Sequence, residues 1–380
     1  MTSTSLNHKE IQRYSRHLLL SGFGVEGQER LKHSSVLCIG AGGLGSPALL
    51  YLAAAGVGRI GIVDFDSVDI SNLQRQVLFE SSQVGQSKAQ MAKQRICALN
   101  PLVQVDCYNE AVTPENVMQR ISEYDVVIDG TDNFPTRYLV SDACERTGTP
   151  YVYGSIFQFE GQVSVFNYQQ GPGYRDLFPE PPAPGSVPSC GEAGVLGVLP
   201  GVVGGLQATE AIKIMTGIGD VLSGRLLLYD ALRMTFHEIQ VQKDPDRVPV
   251  DTVTHYTEWC VGGVPGTLTE ENKVFTQISV EELKQRRDEG WRPYVLDTRW
   301  EHEAQIASLP FVDKLHPHDE VVNILSELPT DKDIVVSCRS GGRSARVCQL
   351  LVQRGFTKVF NLDGGILAWS ARVDPSIPQY

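Results

Sequence analysis

No Cys-x-x-Cys pair occurs in this 380-residue chain, whose eight cysteines stand singly at positions 38, 97, 107, 144, 190, 260, 338 and 348. A tetrahedral thiolate zinc site is therefore not expected. In a chain long enough to fold without covalent staples, scattered cysteines point to free thiols and a reducing compartment. No apolar run approaches the ~20 residues of a membrane span. No run of Lys and Arg interrupts a net charge of −12, so the electrostatic footprint that attracts nucleic acid or anionic membrane is missing. Met1 to Gln12 is polar and lacks a basic stretch followed by an apolar one, so no signal peptide is expected. The expectation is a cytoplasmic protein with neither a nucleic-acid nor a membrane partner.

What is present is ordinary globular composition, 42% hydrophobic and 21% charged. The length exceeds the ~100 to 200 residues of one domain, so two folding units are expected. Val36 to Ile39, the turn Gly40 to Gly45, an Ala/Leu-rich stretch to Ala55 and Arg59 to Val63 read as strand, turn, helix and strand. Such a βαβ unit implies a parallel sheet with helices on its faces. Asp125 to Asp129 reads as another buried strand ending in the turn-rich Gly130-Thr131-Asp132-Asn133. Pro and Gly crowd Gln169 to Ser189, a long loop with a functional role. Leu199 to Met215 reads as a long helix and Arg225 to Gln242 as a strand pair. Composition changes at Lys243 to Pro249, giving a first domain over 1–245, a linker over 246–273 and a second domain over 274–380. In the second, strands at Val295-Leu296 and Ile334 to Val336 alternate with helices at Val280 to Glu289 and Ser344 to Arg354.

Gly40-x-Gly42-Gly43-x-Gly45 follows a strand and opens a helix, which aims backbone N–H groups at a phosphate. The fingerprint serves NAD, FAD and ATP alike, and Asp64 at the next strand end suits a ribose hydroxyl in all of them. The polar run Ser71-Asn72-Leu73-Gln74-Arg75-Gln76, with Lys88 and Thr131-Asp132-Asn133, separates the readings. Cations that stabilise charge on a phosphoryl group and a carboxylate for Mg²⁺ suit nucleotidyl transfer. Taken singly, Arg75 or Lys88 is an exposed salt-bridge partner; beside the glycine turn the functional reading is stronger.

The sequence here resembles the MoeB/ThiF family, bacterial relatives of ubiquitin-activating enzymes. The resemblance rests on Arg13-Tyr14-Ser15-Arg16, Gly40 to Gly45, Val63-Asp64-Phe65-Asp66, Ser71 to Gln76, Val84-Gly85-Gln86-x-Lys88, Thr131-Asp132-Asn133 and Glu192 to Gly197. It implies a Rossmann-like α/β domain of the ubiquitin-activating type that adenylates the C-terminal Gly-Gly carboxylate of a ubiquitin-like sulfur carrier protein of the MoaD/ThiS kind. Gly43, Asp64, Ser71, Asn72, Leu73, Gln74, Arg75, Lys88, Asp132 and Asn133 would bind ATP, Asp132 holding Mg²⁺. Arg16 would reach the site of the neighbouring subunit in a homodimer. Cys190, in Pro188-Ser189-Cys190-Gly191, would attack the acyl adenylate or pair with a persulfide; the bland alternative is a packed thiol. Most members of the family carry two Cys-x-x-Cys pairs that hold zinc. Gly173 and Asp176 stand at the first pair and Asp244 to Val250 at the second, so zinc is expected to be absent.

Cys338-Arg339-Ser340-Gly341-Gly342-Arg343-Ser344 follows a strand and precedes a helix, so successive N–H groups and a helix dipole face the sulfur and favour a thiolate or persulfide anion. Arg339 or Arg343 would add positive charge. A cysteine phosphatase places its phosphate-clamping arginine six positions after the cysteine, where this chain has Ser344. With Leu296-Asp297-Thr298-Arg299 before the loop and Leu362 to Trp369 after it, the segment resembles a rhodanese domain, a smaller α/β unit. The resemblance implies that Cys338 carries a persulfide and that Asp297 and Arg299 support its loop, while Cys348 belongs to the core. A docking-only rhodanese module is the bland alternative; such modules usually lack the cysteine.

Fusion of the two activities gives a cycle: adenylation, attack by a Cys338 persulfide, and cleavage to a thiocarboxylate, with a cysteine desulfurase or another donor supplying sulfur. The carrier would serve molybdopterin, thiamine, tRNA thiolation or cysteine synthesis. Two alternatives remain open from the residues: a nicotinamide-dependent oxidoreductase fused to a rhodanese module, and a non-catalytic scaffold for ubiquitin-like proteins.

Overall fold

The computed structural model describes residues 5–182, 194–253, 256 and 275–380. The chain divides into two compact units, Met1–Cys260 and Val261–Tyr380, each with its own sheet. Most of the linker expected over 246–273 lies outside the described residues, as do Cys190 and Cys260.

Eight strands form the first sheet: β1 (Ser35–Ile39), β2 (Arg59–Val63), β3 (Gln104–Tyr108), β4 (Val126–Asp129), β5 (Tyr151–Phe157), β6 (Glu160–Phe166), β7 (Arg225–Asp230) and β8 (Thr235–Gln240). Their order is β3-β2-β1-β4-β5-β6-β7-β8. Pairing is parallel from β3 to β5 and antiparallel from β5 to β8, the mainly parallel sheet expected. Strand alternation divides the apolar residues between two cores. Val36 and Cys38 of β1 pack on one face with Ala48, Leu49 and Leu52, while Leu37 and Ile39 pack on the other with Leu139 and Val140. The helix Gly45–Ala55 ends at Gly56, whose φ of +88° is the left-handed conformation that glycine adopts most readily. The helix Leu199–Thr216 lies on the first face, Gln207 Nε2 donating to the Asp129 carbonyl at 2.7 Å.

The strand order reverses direction at β1, between β2 and β4, the topological switch point where open α/β sheets bind ligands at strand C-terminal ends. Gly40 follows β1 and Gly130 follows β4, and the register pairs Ile39 with Asp129. A Cβ on Gly130 would stand 2.3 Å from the Gly40 carbonyl oxygen, so the two strand ends approach this closely only as glycines.

The second unit has β9 (Thr276–Ile278), β10 (Tyr294–Asp297), β11 (Lys314–Leu315), β12 (Ile334–Ser337) and β13 (Val359–Leu362), ordered β11-β10-β12-β13-β9 and wholly parallel. Val335 packs on one face of this sheet with Leu362 and Trp369, and Ile334 and Val336 on the other with Val347 and Leu351.

Candidate active sites

A cleft of about 260 Å³ opens at the switch point of the first sheet. It is lined by Gly43, Asp64, Arg75, Lys88, Asp132 and Asn133, all expected from the sequence. Ser71, Asn72, Leu73 and Gln74 do not line it. They build the turn above it: the Asn72 carbonyl accepts the N–H groups of Arg75 and Gln76 at 3.0 and 2.9 Å, and the Ser71 carbonyl accepts Arg75 Nη1 at 3.2 Å. Gln74 is packed against Gly197, where a Cβ would meet its Oε1 at 2.3 Å. Arg16 is exposed on the helix Ser15–Leu18 and does not line the cleft.

Asp64 accepts N–H bonds from Ala41 at 2.8 Å and Asp66 at 2.9 Å, so its carboxylate holds the glycine turn against the end of β2. Burial pushes Asp64 above the usual carboxylate range, against the opposing pull of those two amides and of Lys88. Lys88, only 5% exposed, opens the helix Lys88–Leu99 and reaches Asp66 at 2.9 Å. Arg75 is half-buried and makes no ion pair among the described residues, leaving its charge available to an anion in the cleft.

Two further residues line the cleft: Gln76, part of the polar run but not among the expected ATP ligands, and Arg137, which the sequence does not mark. Gln76 is 4% exposed, lines the cleft and has a buried Oε1 with no hydrogen-bond partner. A ligand donor would satisfy an acceptor left in that state, since an unpaired buried polar atom is costly. Arg137 pairs with the fully buried Asp129 at 3.0 Å and donates to the carbonyls of Thr131 and Gly154 at 3.1 and 3.3 Å. Asp129 also accepts from Tyr151 Oη at 2.6 Å and from Thr131 through both N–H and hydroxyl. This network fixes the Gly130–Asn133 turn, and Asn133 caps the next helix by accepting from Thr136 N–H at 2.9 Å. Arg137 lies in the first turn of the helix Phe134–Thr147, and nothing local in the sequence marks it as buried.

The residues of the cleft fit ATP with Mg²⁺. The turn offers N–H groups, Arg75 a cation, Gln76 an unmet acceptor, and Asp132 an exposed carboxylate of the oxygen type that hard cations take.

In the second unit Cys338 follows β12 and is 1% exposed. Its Sγ accepts the Gly341 N–H at 3.1 Å. The Ser344 hydroxyl lies 3.3 Å from Sγ and 3.0 Å from the Gly341 carbonyl. The carbonyls of Cys338 and Arg339 turn the other way, accepting the N–H groups of Ile366 and Leu367 at 3.0 and 3.1 Å from the helix Gly365–Arg372. Donors thus face the sulfur because acceptors are bound elsewhere. A Cβ on Gly365 would meet the Cys338 carbonyl at 2.4 Å, so that helix start must be glycine.

The positive charge expected from Arg343 is matched by Glu303, at 2.7 and 2.6 Å. Arg339 Nε donates to the backbone oxygen of Tyr380 at 2.7 Å. Asp297 and Arg299 form a buried ion pair beside the loop, with bonds of 2.9 and 3.0 Å from Nε. Cys348 lies in the core, and burial pushes its thiol, like those of Cys38 and Cys144, well above the ordinary value.

The two segments where the resemblance would place zinc cysteines are joined by charge. Arg247 Nε meets Asp176 at 2.7 Å and its Nη1 meets Glu145 at 3.1 Å, while Asp176 also accepts the Gly173 and Asp244 N–H groups at 2.6 and 3.2 Å.

The sequence profile of the ThiF family matches residues 14–250 and that of the rhodanese-like domain residues 279–372. The chain is 46% identical to the probable adenylyltransferase/sulfurtransferase MoeZ of Mycobacterium tuberculosis, over 100% of this chain and 97% of that one. It is 55% identical to the sulfur carrier protein adenylyltransferase of Thermus thermophilus, over 64% of this chain and 91% of the relative. Among solved structures, Escherichia coli MccB with ATP shares the fold at 21% identity and a TM-score of 0.53, covering 66% of this chain and 76% of that one. The chain belongs to the ThiF family, joined to a rhodanese-like domain, and is an enzyme of the adenylyltransferase and sulfurtransferase class.

Proposed function

We propose that the enzyme uses ATP to adenylate the C-terminal glycine carboxylate of a ubiquitin-like sulfur carrier protein and then delivers sulfur from a Cys338 persulfide. The observation that carries this reading is the convergence of Arg75, Lys88 and the glycine turn on one cleft, in a chain that also holds a cysteine sulfur met by the Gly341 N–H and the Ser344 hydroxyl. In the cleft the carrier carboxylate attacks the α-phosphorus and pyrophosphate leaves. Arg75 and Lys88 stabilise the charge gathering on the phosphoryl oxygens, and Asp64 orients the ribose. Mg²⁺ held by Asp132 would neutralise phosphate charge when bound. The persulfide sulfur then attacks the acyl carbon and AMP leaves. The acyl disulfide is cleaved by a second thiol, for which Cys190 is the candidate: its sulfur bonds to Cys338 Sγ, the thiocarboxylate leaves with the electron pair, and an external dithiol reduces the resulting disulfide for the next turnover. Covalent fusion raises the effective concentration of the donor at the activated acyl group.

The finer features belong to the same reading: a homodimer in which Arg16 completes the neighbour's site, a cysteine desulfurase or similar donor upstream, a cytoplasmic location, and no zinc. The reading of no zinc is supported by the Arg247 ion pairs, which join the two segments where the resemblance would put zinc ligands. Incubation with ATP, Mg²⁺, a sulfur source and each candidate carrier, followed by intact mass measurement, tests the proposal. A carrier heavier by an adenylate, or by the replacement of oxygen with sulfur, is expected. Unchanged carriers, together with no exchange of labelled pyrophosphate into ATP, would overturn it.

A further inference from the structure

Tyr380 sits where three parts of the sulfur site meet. Its hydroxyl lies 2.6 Å from Arg299 Nη1, and its backbone oxygen accepts from Arg339 Nε at 2.7 Å and from Arg339 Nη2. Its ring lies 5.5 Å from the guanidinium carbon of Arg339 and 5.9 Å from that of Arg299. The segment leading to it is anchored by Ile377, which packs in the core with Ile366 and Trp369 and whose carbonyl accepts from the Ser370 hydroxyl.

Arg339 follows Cys338 directly, and Arg299 is ion-paired with Asp297, the register partner of Ser337 that precedes Cys338. Arg299 Nη1 also reaches the Glu303 carbonyl at 3.5 Å, and the Glu303 carboxylate holds Arg343 in the first turn after the loop. Contacts therefore run around the cysteine turn from Arg339 through Tyr380, Arg299 and Glu303 to Arg343, and Tyr380 joins Arg339 to the rest.

From this geometry we propose that Tyr380 is a positioning residue for sulfur transfer: by holding Arg339 it helps keep the Cys338–Gly341 turn in the conformation that directs the Gly341 N–H at Sγ. The inference rests on the reading of Cys338 as the sulfur carrier. Loosening a contact of the side chain next to the nucleophile would let the turn sample other conformations, and small misplacements of reacting groups cost rate.

The test is sulfur transfer from thiosulfate to cyanide by the full chain. The Cys338 thiolate attacks the outer sulfur of thiosulfate, the S–S bond breaks and sulfite leaves with the electron pair. Cyanide then attacks the terminal persulfide sulfur, giving thiocyanate and the free thiolate. Tyr380→Ala keeps the backbone oxygen but loses its anchor on Arg299, and is expected to lower kcat about tenfold with the KM for thiosulfate within about twofold. Tyr380→Phe, which keeps the ring but loses the hydroxyl bonded to Arg299, is expected to lower kcat in the same direction as Tyr380→Ala and by less. Arg339→Ala should match Tyr380→Ala, and the double variant should be no slower than either, as for residues acting through one contact. A wild-type kcat in Tyr380→Ala, or losses that multiply in the double variant, would overturn the role of Tyr380 while a dead Cys338→Ala leaves the sulfur carrier in place. Transfer that persists in Cys338→Ala would overturn both.

Discussion

At the scale of single residues, the two sites differ in how their charges are disposed. Arg75 is left to the ligand, whereas Arg343 is matched within the protein. Arg75→Ala should therefore reduce pyrophosphate exchange by about 10²- to 10³-fold, as for removal of a donor to developing charge, with thermal stability unchanged. Arg343 acts on stability instead. Burial opposes the charge of Glu303, but hydrogen bonds from Arg343 and the Trp300 amide together outweigh it and hold Glu303 below the usual carboxylate range. A depressed folded-state value means that the pair's stabilisation is complete above the unfolded glutamate value, about 4.3, and is lost as pH falls through the lower folded value. Thermal unfolding of the full chain should show the second unit losing stability over that acid window. Glu303→Gln should flatten the dependence and cost about 3 to 5 kcal/mol at neutral pH, because the buried Arg343 loses the carboxylate charge that faces it.

Elements place these residues, and glycines decide how closely elements approach. Gly40 has a φ of +91° and faces Gly130 across the ends of β1 and β4. Gly130→Ala should separate the two turns, destabilise the first unit by about 1 to 3 kcal/mol and abolish detectable ATP binding by calorimetry. Gly201, in the helix Leu199–Thr216, has open space where a Cβ would stand, so Gly201→Ala should be neutral or stabilising by up to ~1 kcal/mol. The sequence marks the first pair of turns through local pattern: β1, the glycine run and β4 are each apolar strands closed by turn residues. β5 and β6 are less legible because Tyr151, Tyr153 and Phe166 pack with Tyr174 from a short distant helix, and no local period records that contact. Arg137 is hidden for a related reason: its partner Asp129 is close in sequence, but it also meets the Gly154 carbonyl of β5, which is distant along the chain.

At the scale of the whole molecule, the Arg247 ion pairs join the segment after β8 to residues around 145 and 173–176. Arg247→Met should leave Asp176 and Glu145 uncompensated, lowering the melting temperature of the first unit, while a chelator should leave wild-type melting unchanged; metal analysis and calorimetry check both. The sequence by itself determined the two α/β units, the glycine turn with Asp64, Arg75 and Lys88, and the cysteine loop, because each is written in contiguous residues whose spacing follows strand, turn and helix geometry. Only the tertiary structure decided that Ser71 to Gln74 support the cleft while Gln76 and Arg137 line it, that Glu303 takes up the charge of Arg343, and that Tyr380 reaches Arg339. Those relations join residues far apart along the chain, and their energies arise from burial and pairing that exist only once the strands have set their register.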